Sequence, residues 1–185
     1  PDSDFLALLK IWNTFHEKWE ACRTQNQLRK FCKANFLSYI RMREWVDVHT
    51  QLREALREAR RSREGERREP AATANYAAIH RSILTGLLGH IAQREERNLY
   101  HASGDRRVMV FPGSSLFDRN EKKIPGKQAP ATQKKTSQPE WLVAGEMVET
   151  SRLFARTLAR ISPEWILKLG DHLCQRSYSE PHWRR

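Results

Sequence analysis

The 185 residues carry 33 Lys and Arg against 22 Asp and Glu, a formal charge of +11, with 39% apolar residues and three cysteines. That is material for one ordinary domain or two small ones. It excludes a membrane-spanning helix, since the longest uncharged apolar stretches, Phe5 to Leu9 and Gly86 to Ala92, fall far short of roughly 20 residues.

The first segment, to about residue 64, reads as helices. Phe5, Leu8, Leu9, Trp12, Phe15 and Trp19 recur at spacings of three and four behind the cap candidates Asp2, Ser3 and Asp4. A second helix begins near Asn26. A third begins near Asn35, with Leu37, Ile40, Trp45, Val48, Leu52 and Leu56 on one broad side at about 100° per residue. Arg41 and Glu44 land inside that apolar stripe, which two readings explain: a buried ion pair, or a side chain aimed at a ligand channel. Beyond Gln51 the helix becomes charged, with Glu54–Arg57 and Glu58–Arg61 spaced to pair along a solvated surface. Gly65 and Pro70 break the pattern, making 64 to 72 a connector, and a last helix runs from about Ala74 to Leu87.

From about Leu88 the period changes. Gly89 to Arg94, Leu99 to Ala102 and Arg106 to Phe111 are short segments of strand formers, with Ser103-Gly104-Asp105 as the turn between the last two. Residues 118 to 139, rich in Lys, Pro, Gly, Gln, Ser and Thr, have little to bury and read as a disordered basic insertion. Pattern resumes at Trp141 to Thr150 and Leu153 to Ile161. Arg152, Arg156 and Arg160, spaced by four, fit either a helix stripe or one face of a strand. Ser162 as N-cap and Pro163 at the first helical position then start a short helix to about Leu173.

No phosphate-binding glycine loop, paired acidic metal motif, H-E-x-x-H or G-x-S-x-G occurs, so the chain is expected to hold no catalytic site, metal or cofactor of its own. His16, His49, His80, His90, His101 and His172 read as surface or satisfied core. Cys22, Cys32 and Cys174, odd in number and without a C-x-x-C pair, read as reduced thiols of a cytoplasmic protein. The chain opens on Pro1-Asp2 and shows no secretory signal, which reads as a piece of something longer. The basic excess points to a polyanion, nucleic acid first, because neutralised phosphates release counterions. Five short strands and a helix behind a helical block, with basic residues at the turns, fit an α+β chain with a small barrel of the OB type, although other small barrels would give similar signals.

The run from Phe31 through Asn35-Phe-Leu-Ser-Tyr-Ile-Arg41 to Leu52 resembles the helix-bundle, or ratchet, segment of DEAH-box RNA helicases. Ile79 to Leu88, Val110 to Leu116, and Glu146 to Arg152 leading into Ile161-Ser-Pro-Glu-Trp165 agree in order, and Arg176 to Trp183 is similar to the bacterial HrpA branch. The resemblance implies a helix-bundle segment over 1–87, a five-stranded OB-fold barrel with a C-terminal helix over 88–175, and the start of a linker at 176–185. It implies an accessory region of an ATP-dependent helicase that grips single-stranded RNA, DNA being left open. The RecA-like motor domains of the same parent, which would hold ATP and Mg²⁺, lie outside these residues. Membranes are not expected as partners, and the fragment is expected to be monomeric.

Carried over by position, Pro112-Gly-Ser-Ser115 corresponds to a His-Pro-Ser-Ser type segment, with Gly113 intruding and Phe111 standing where His is common. Arg152 matches a basic residue of the fourth-to-fifth strand connection. Arg152 and Arg156, with Arg106, Arg107, Ser114 and Ser115 at neighbouring strand ends, would touch phosphates without reading bases. Arg41 would face the strand from the ratchet. A reading of another class makes the chain a protein-docking platform through Trp141, Leu153 and Phe154.

Overall fold

The computed structural model describes residues 2–61, 75–119 and 138–174. The connector at 64–72, most of the basic insertion and the closing motif from Arg176 therefore lie outside the described residues. The chain divides into two compact units, Leu9–Thr73 and, together, Pro1–Leu8 with Ala74–Arg185. The division falls ahead of the fourth helix rather than at residue 87, because that helix packs on the barrel instead of the bundle.

In the helical unit, α1 (Asp4–Ala21), α2 (Gln25–Ala34) and α3 (Tyr39–Arg61) enclose Phe15, Leu28, Cys32 and Met42, with Trp19, Leu37, Tyr39, Trp45 and Val46 packed around them. Thr24 and Gln27 start α2 with a reciprocal capping box, each side chain accepting the other's backbone N–H. The same helix ends with Leu37 N–H on the Cys32 carbonyl (2.8 Å) and Phe36 N–H on that of Lys33 (3.3 Å). This closing pattern needs a left-handed residue and usually takes glycine. Here Phe36 adopts it, at φ 57°, while its ring stands 99% exposed.

The packed side of α3 differs from the expected stripe. Met42 is buried and Val46 half-buried, whereas Ile40, Val48, Leu52 and Leu56 are exposed, as are Arg41 and Glu44. The apolar residues of α3 span a wider arc than α1 and α2 cover, so the bundle buries only part of it. Arg41 does lie within the stripe, but the stripe is open, and the buried Arg41–Glu44 pair does not exist.

The second unit is a barrel of β1 (Ile91–Glu96), β2 (Leu99–Ala102), β3 (Arg106–Val110), β4 (Trp141–Glu149) and β5 (Leu153–Arg160), closed in the order β1-β2-β3-β5-β4. All pairings are antiparallel except β3 with β5. The first strand starts later than Gly89 because Leu88–His90 forms a 3₁₀ turn. Ala92, Tyr100, Val108, Val110, Leu142, Ala144, Ala155 and Leu158 fill the interior. Tyr100 donates its hydroxyl to the Pro139 carbonyl (2.7 Å), and burial pushes its phenol up to about 12 against the opposing pull of Arg94.

Both long strands bend sharply at one place. Thr157 takes φ 54°, which a β-branched residue rarely adopts, opposite Gly145, where a Cβ would meet the Thr157 Cβ at 3.1 Å. Strict alternation fails across the bend, since Ala155 and Leu158 both enter the interior. Arg160 is thereby carried away from Arg156, to the strand end beside Asp2 (3.9 Å), so the three evenly spaced arginines do not share a strand face.

Outside the barrel, α4 (Tyr76–Gly86) and α5 (Pro163–Gly170) cover a second core of Leu84, Ile91, Val143, Ala159 and Ile161, with Phe5, Trp141 and Trp165 against it. Pro163 opens α5 as expected, but the Ser162 side chain makes no cap bond. The chain start is stitched to this core. Arg160 N–H bonds the Asp2 carbonyl, and the Tyr76 hydroxyl sits between the Asp2 and Arg160 carbonyls at 2.9 and 2.8 Å. Burial, then the nearby Asp2 charge, raise that phenol to about 12, opposed by Arg160. The fully buried His80 has its Nδ1 on the Tyr76 carbonyl (2.6 Å) and its Nε2 on Ser3 Oγ (2.7 Å). A carbonyl only accepts, so Nδ1 carries a proton toward it.

Candidate nucleic-acid interface

Parallel pairing of β3 with β5 sets Met109 beside Phe154 and Val110 beside Ala155. With a side-chain period of two, Val108, Val110 and Ala155 turn inward, while Met109, Phe111, Phe154 and Arg156 share the outer face. Phe111 and Phe154 meet edge to face at 6.2 Å, and the Arg156 guanidinium lies 4.8 Å from the Phe111 ring centre. Arg156 also pairs with Glu146 across the β4–β5 ladder at 3.2 Å.

Arg152 occupies the β4–β5 turn, which is tied by Thr150 N–H to the Arg152 carbonyl at 3.0 Å. Its Nη1 approaches the Met109 sulfur at 3.3 Å, which places the guanidinium at the rim of the same patch. Among the described residues no carboxylate lies within ion-pair distance of Arg152. Its charge therefore stays available to an external anion.

Gly113 and Phe111 are physically coupled. A Cβ at position 113 would stand 2.8 Å from Cε1 of Phe111, so glycine there is what lets the Phe111 ring fold over the loop. The ring remains 37% exposed.

Ser114 and Ser115 do something else. Ser114 is 6% exposed and its hydroxyl donates to Asp4 Oδ2 at 2.6 Å, while Ser115 donates both its N–H (2.9 Å) and its hydroxyl (2.6 Å) to Oδ1. Leu158 N–H adds 2.8 Å to Oδ2 at the β5 bend. Burial alone would raise the Asp4 pKa, but the bonds from Leu158, Ser114 and Ser115 together outweigh it and hold the carboxyl below its ordinary value. The serine pair thus binds a carboxylate of its own chain, where an anion contact was expected.

Arg106 and Arg107 sit at the β2–β3 hairpin. Arg106 Nε donates to the Ser103 carbonyl (3.1 Å), and Arg107 forms a two-bond pair with Glu95 (3.0 and 2.6 Å) beside the His101–Asp105 pair. Arg41 belongs to the helical unit. The structure therefore gathers Arg152 and Arg156, holds Arg106 and Arg107 at a separate hairpin, and turns the serines away.

Of the aromatic pair, Phe111 was missed in the sequence as a binding feature, and Phe154 was named there only for protein docking. The signal available was the alternation of Arg107, Met109 and Phe111 along one strand face. Of the residues expected to form a docking surface, Trp141 packs against the outer core and Leu153 against the barrel interior, both half-buried, while Phe154 lies on the outer face.

A family model described as oligonucleotide/oligosaccharide-binding (OB)-fold matches residues 79–173. Over its whole length the chain is 38% identical to a protein of Escherichia coli strain K12 named ATP-dependent RNA helicase HrpA. Over 99% of its length it is 37% identical to an ATP-dependent RNA helicase HrpA homolog of Haemophilus influenzae. In each case it spans 12% of the relative's own length.

Proposed function

We propose, from the premise that this chain belongs to the oligonucleotide/oligosaccharide-binding (OB)-fold family, that it is an accessory region of an ATP-dependent RNA helicase and grips single-stranded RNA. The observation that carries this reading is the outer face of β3 and β5, where two packed phenylalanines lie beside Arg156 and Arg152, the latter without a carboxylate partner among the described residues. Aromatic rings stack on any base and guanidinium groups take the flanking phosphates, so binding is tolerant of sequence and sensitive to salt. Arg106, at its separate hairpin, and Arg41, on the helical unit, are further phosphate contacts in this reading, each on its own surface. ATP and Mg²⁺ act in motor domains of the longer protein, which are the partners within the same polypeptide.

The test is fluorescence anisotropy of the chain with labelled 12-nucleotide RNA and DNA at 50 to 300 mM salt. About three neutralised phosphates give a slope near −2 in log K against log salt, or roughly a 40-fold loss across that range. Arg152→Glu should flatten the slope by about 0.7 or more. Affinity that ignores salt, or an unchanged Arg152→Glu titration, overturns the proposal. A docking reading is favoured by the exposed Phe36, Ile40, Val48, Leu52 and Leu56. It predicts salt-insensitive binding of the isolated motor domains and no oligonucleotide binding.

A further inference from the structure

The geometry of the helical unit points to a second anion site, separate from the barrel face: we propose that Arg29, Tyr39 and Arg43 form a receptor for a phosphate group. Arg43 is half-buried on α3, with its guanidinium 5.5 Å from the Trp19 ring centre and its Nη1 at 3.4 Å from the Tyr39 hydroxyl. The Arg29 guanidinium covers the Tyr39 ring at 5.0 Å. One tyrosine is thus bracketed by two cations.

Neither cation has an acidic partner among the described residues. Asp47 stands one helical turn from Arg43, at the spacing that ordinarily pairs, yet Arg43 turns to the aromatic rings instead. Its Nε is buried with no hydrogen-bond partner among the described residues. A half-desolvated guanidinium without a counter-charge is costly, and here Arg43 is one, with the exposed Arg29 guanidinium over the same tyrosine ring. Both are held against ring faces, which fixes the planar fork before a ligand arrives.

Phosphate matches this arrangement because its oxygens accept from a guanidinium fork in pairs, with the Tyr39 hydroxyl as a further donor. The group could be a phosphodiester of the single strand or free phosphate, and the two sources share the chemistry. The arrangement does not depend on the barrel face, so either site can fail alone.

The experiment follows arginine Nε–Hε resonances of the whole chain by NMR during titration with inorganic phosphate, then with 12-nucleotide oligouridylate. Arg29 and Arg43 should shift saturably, and Arg43→Met and Tyr39→Phe should each weaken the response at least fivefold. Arg43→Lys, which keeps the charge but not the planar fork, should weaken it comparably. Arg53→Gln, on the same helix, should change nothing. Shifts at far lower oligouridylate than phosphate assign the strand as source, and shifts with phosphate alone assign the free ion. A non-saturating drift shared by all arginines, or an unchanged titration in Tyr39→Phe with the fold retained, overturns the site. Because Arg152→Glu leaves this titration intact, its outcome is distinguishable from loss of binding at the barrel.

Discussion

Replacing Asp4 by Asn tests how the chain start is fastened to the barrel. The carboxylate accepts two bonds on each oxygen, from Ser114 Oγ and Leu158 N on Oδ2 and from Ser115 N and Oγ on Oδ1. Asparagine keeps one accepting oxygen and points an amide at the other two donors. A hydrogen bond to a charged group contributes about 1.5–3 kcal/mol, and two are lost. Asp4 is only partly buried, so solvent screening cuts their sum to about 2 kcal/mol. At about 4 °C per kcal/mol for a domain of this size, the melting temperature falls by about 8 °C.

The pH dependence follows from the direction of the shift. Asp4 titrates below its ordinary value of 3.8, so its contribution is complete above that value and is lost as pH falls through the folded one. Thermal unfolding by circular dichroism should show a constant gap between the two proteins from pH 8 to 5. The gap should narrow below about pH 4. Equal melting temperatures at pH 7, or a gap that is undiminished at pH 2, would refute the role given to these bonds.

Other consequences can be measured on single variants. Phe36→Gly removes a left-handed phenylalanine whose ring touches almost nothing; after allowing for glycine's extra freedom when unfolded, it should stabilise the chain by about 0.5–1 kcal/mol in urea melts. Gly145→Ala drives a methyl toward Thr157 and Phe5 and should cost about 1–3 kcal/mol by the same assay. Gly113→Ala pushes the Phe111 ring off its seat; RNA affinity by anisotropy should drop about 3- to 10-fold, as for partial loss of one stacked base, with the melting temperature nearly unchanged.

Local chemistry was legible in the sequence. The Ser103-Gly104-Asp105 turn forms with Gly104 and Asp105 both at positive φ, and Pro163 starts its helix. The five strands and their barrel follow from short β-rich segments between turns. What depends on distant partners was not legible. The Asp4–Ser114 bond joins residues 110 apart, and nothing near either one signals the other. Helix α3 shows the same limit differently, since periodicity gives an apolar arc but not how much of it neighbours cover. At β5 the even spacing of arginines fitted a helix stripe or one strand face, and the left-handed Thr157 broke the second reading. In the site, Arg152 was named from the resemblance and Arg156 beside it; charge and spacing alone left both open. Phe111 gained its meaning only from the glycine beside it and the Arg156 above it.

The most direct measurement is photocrosslinking of the chain to a 12-nucleotide RNA carrying 4-thiouridine, with adducts mapped by mass spectrometry. The account predicts adducts concentrated on Met109, Phe111 and Phe154, suppressed by rising salt and by Arg152→Glu. Adducts confined to other surfaces, with this face unmodified at saturating RNA, would contradict it.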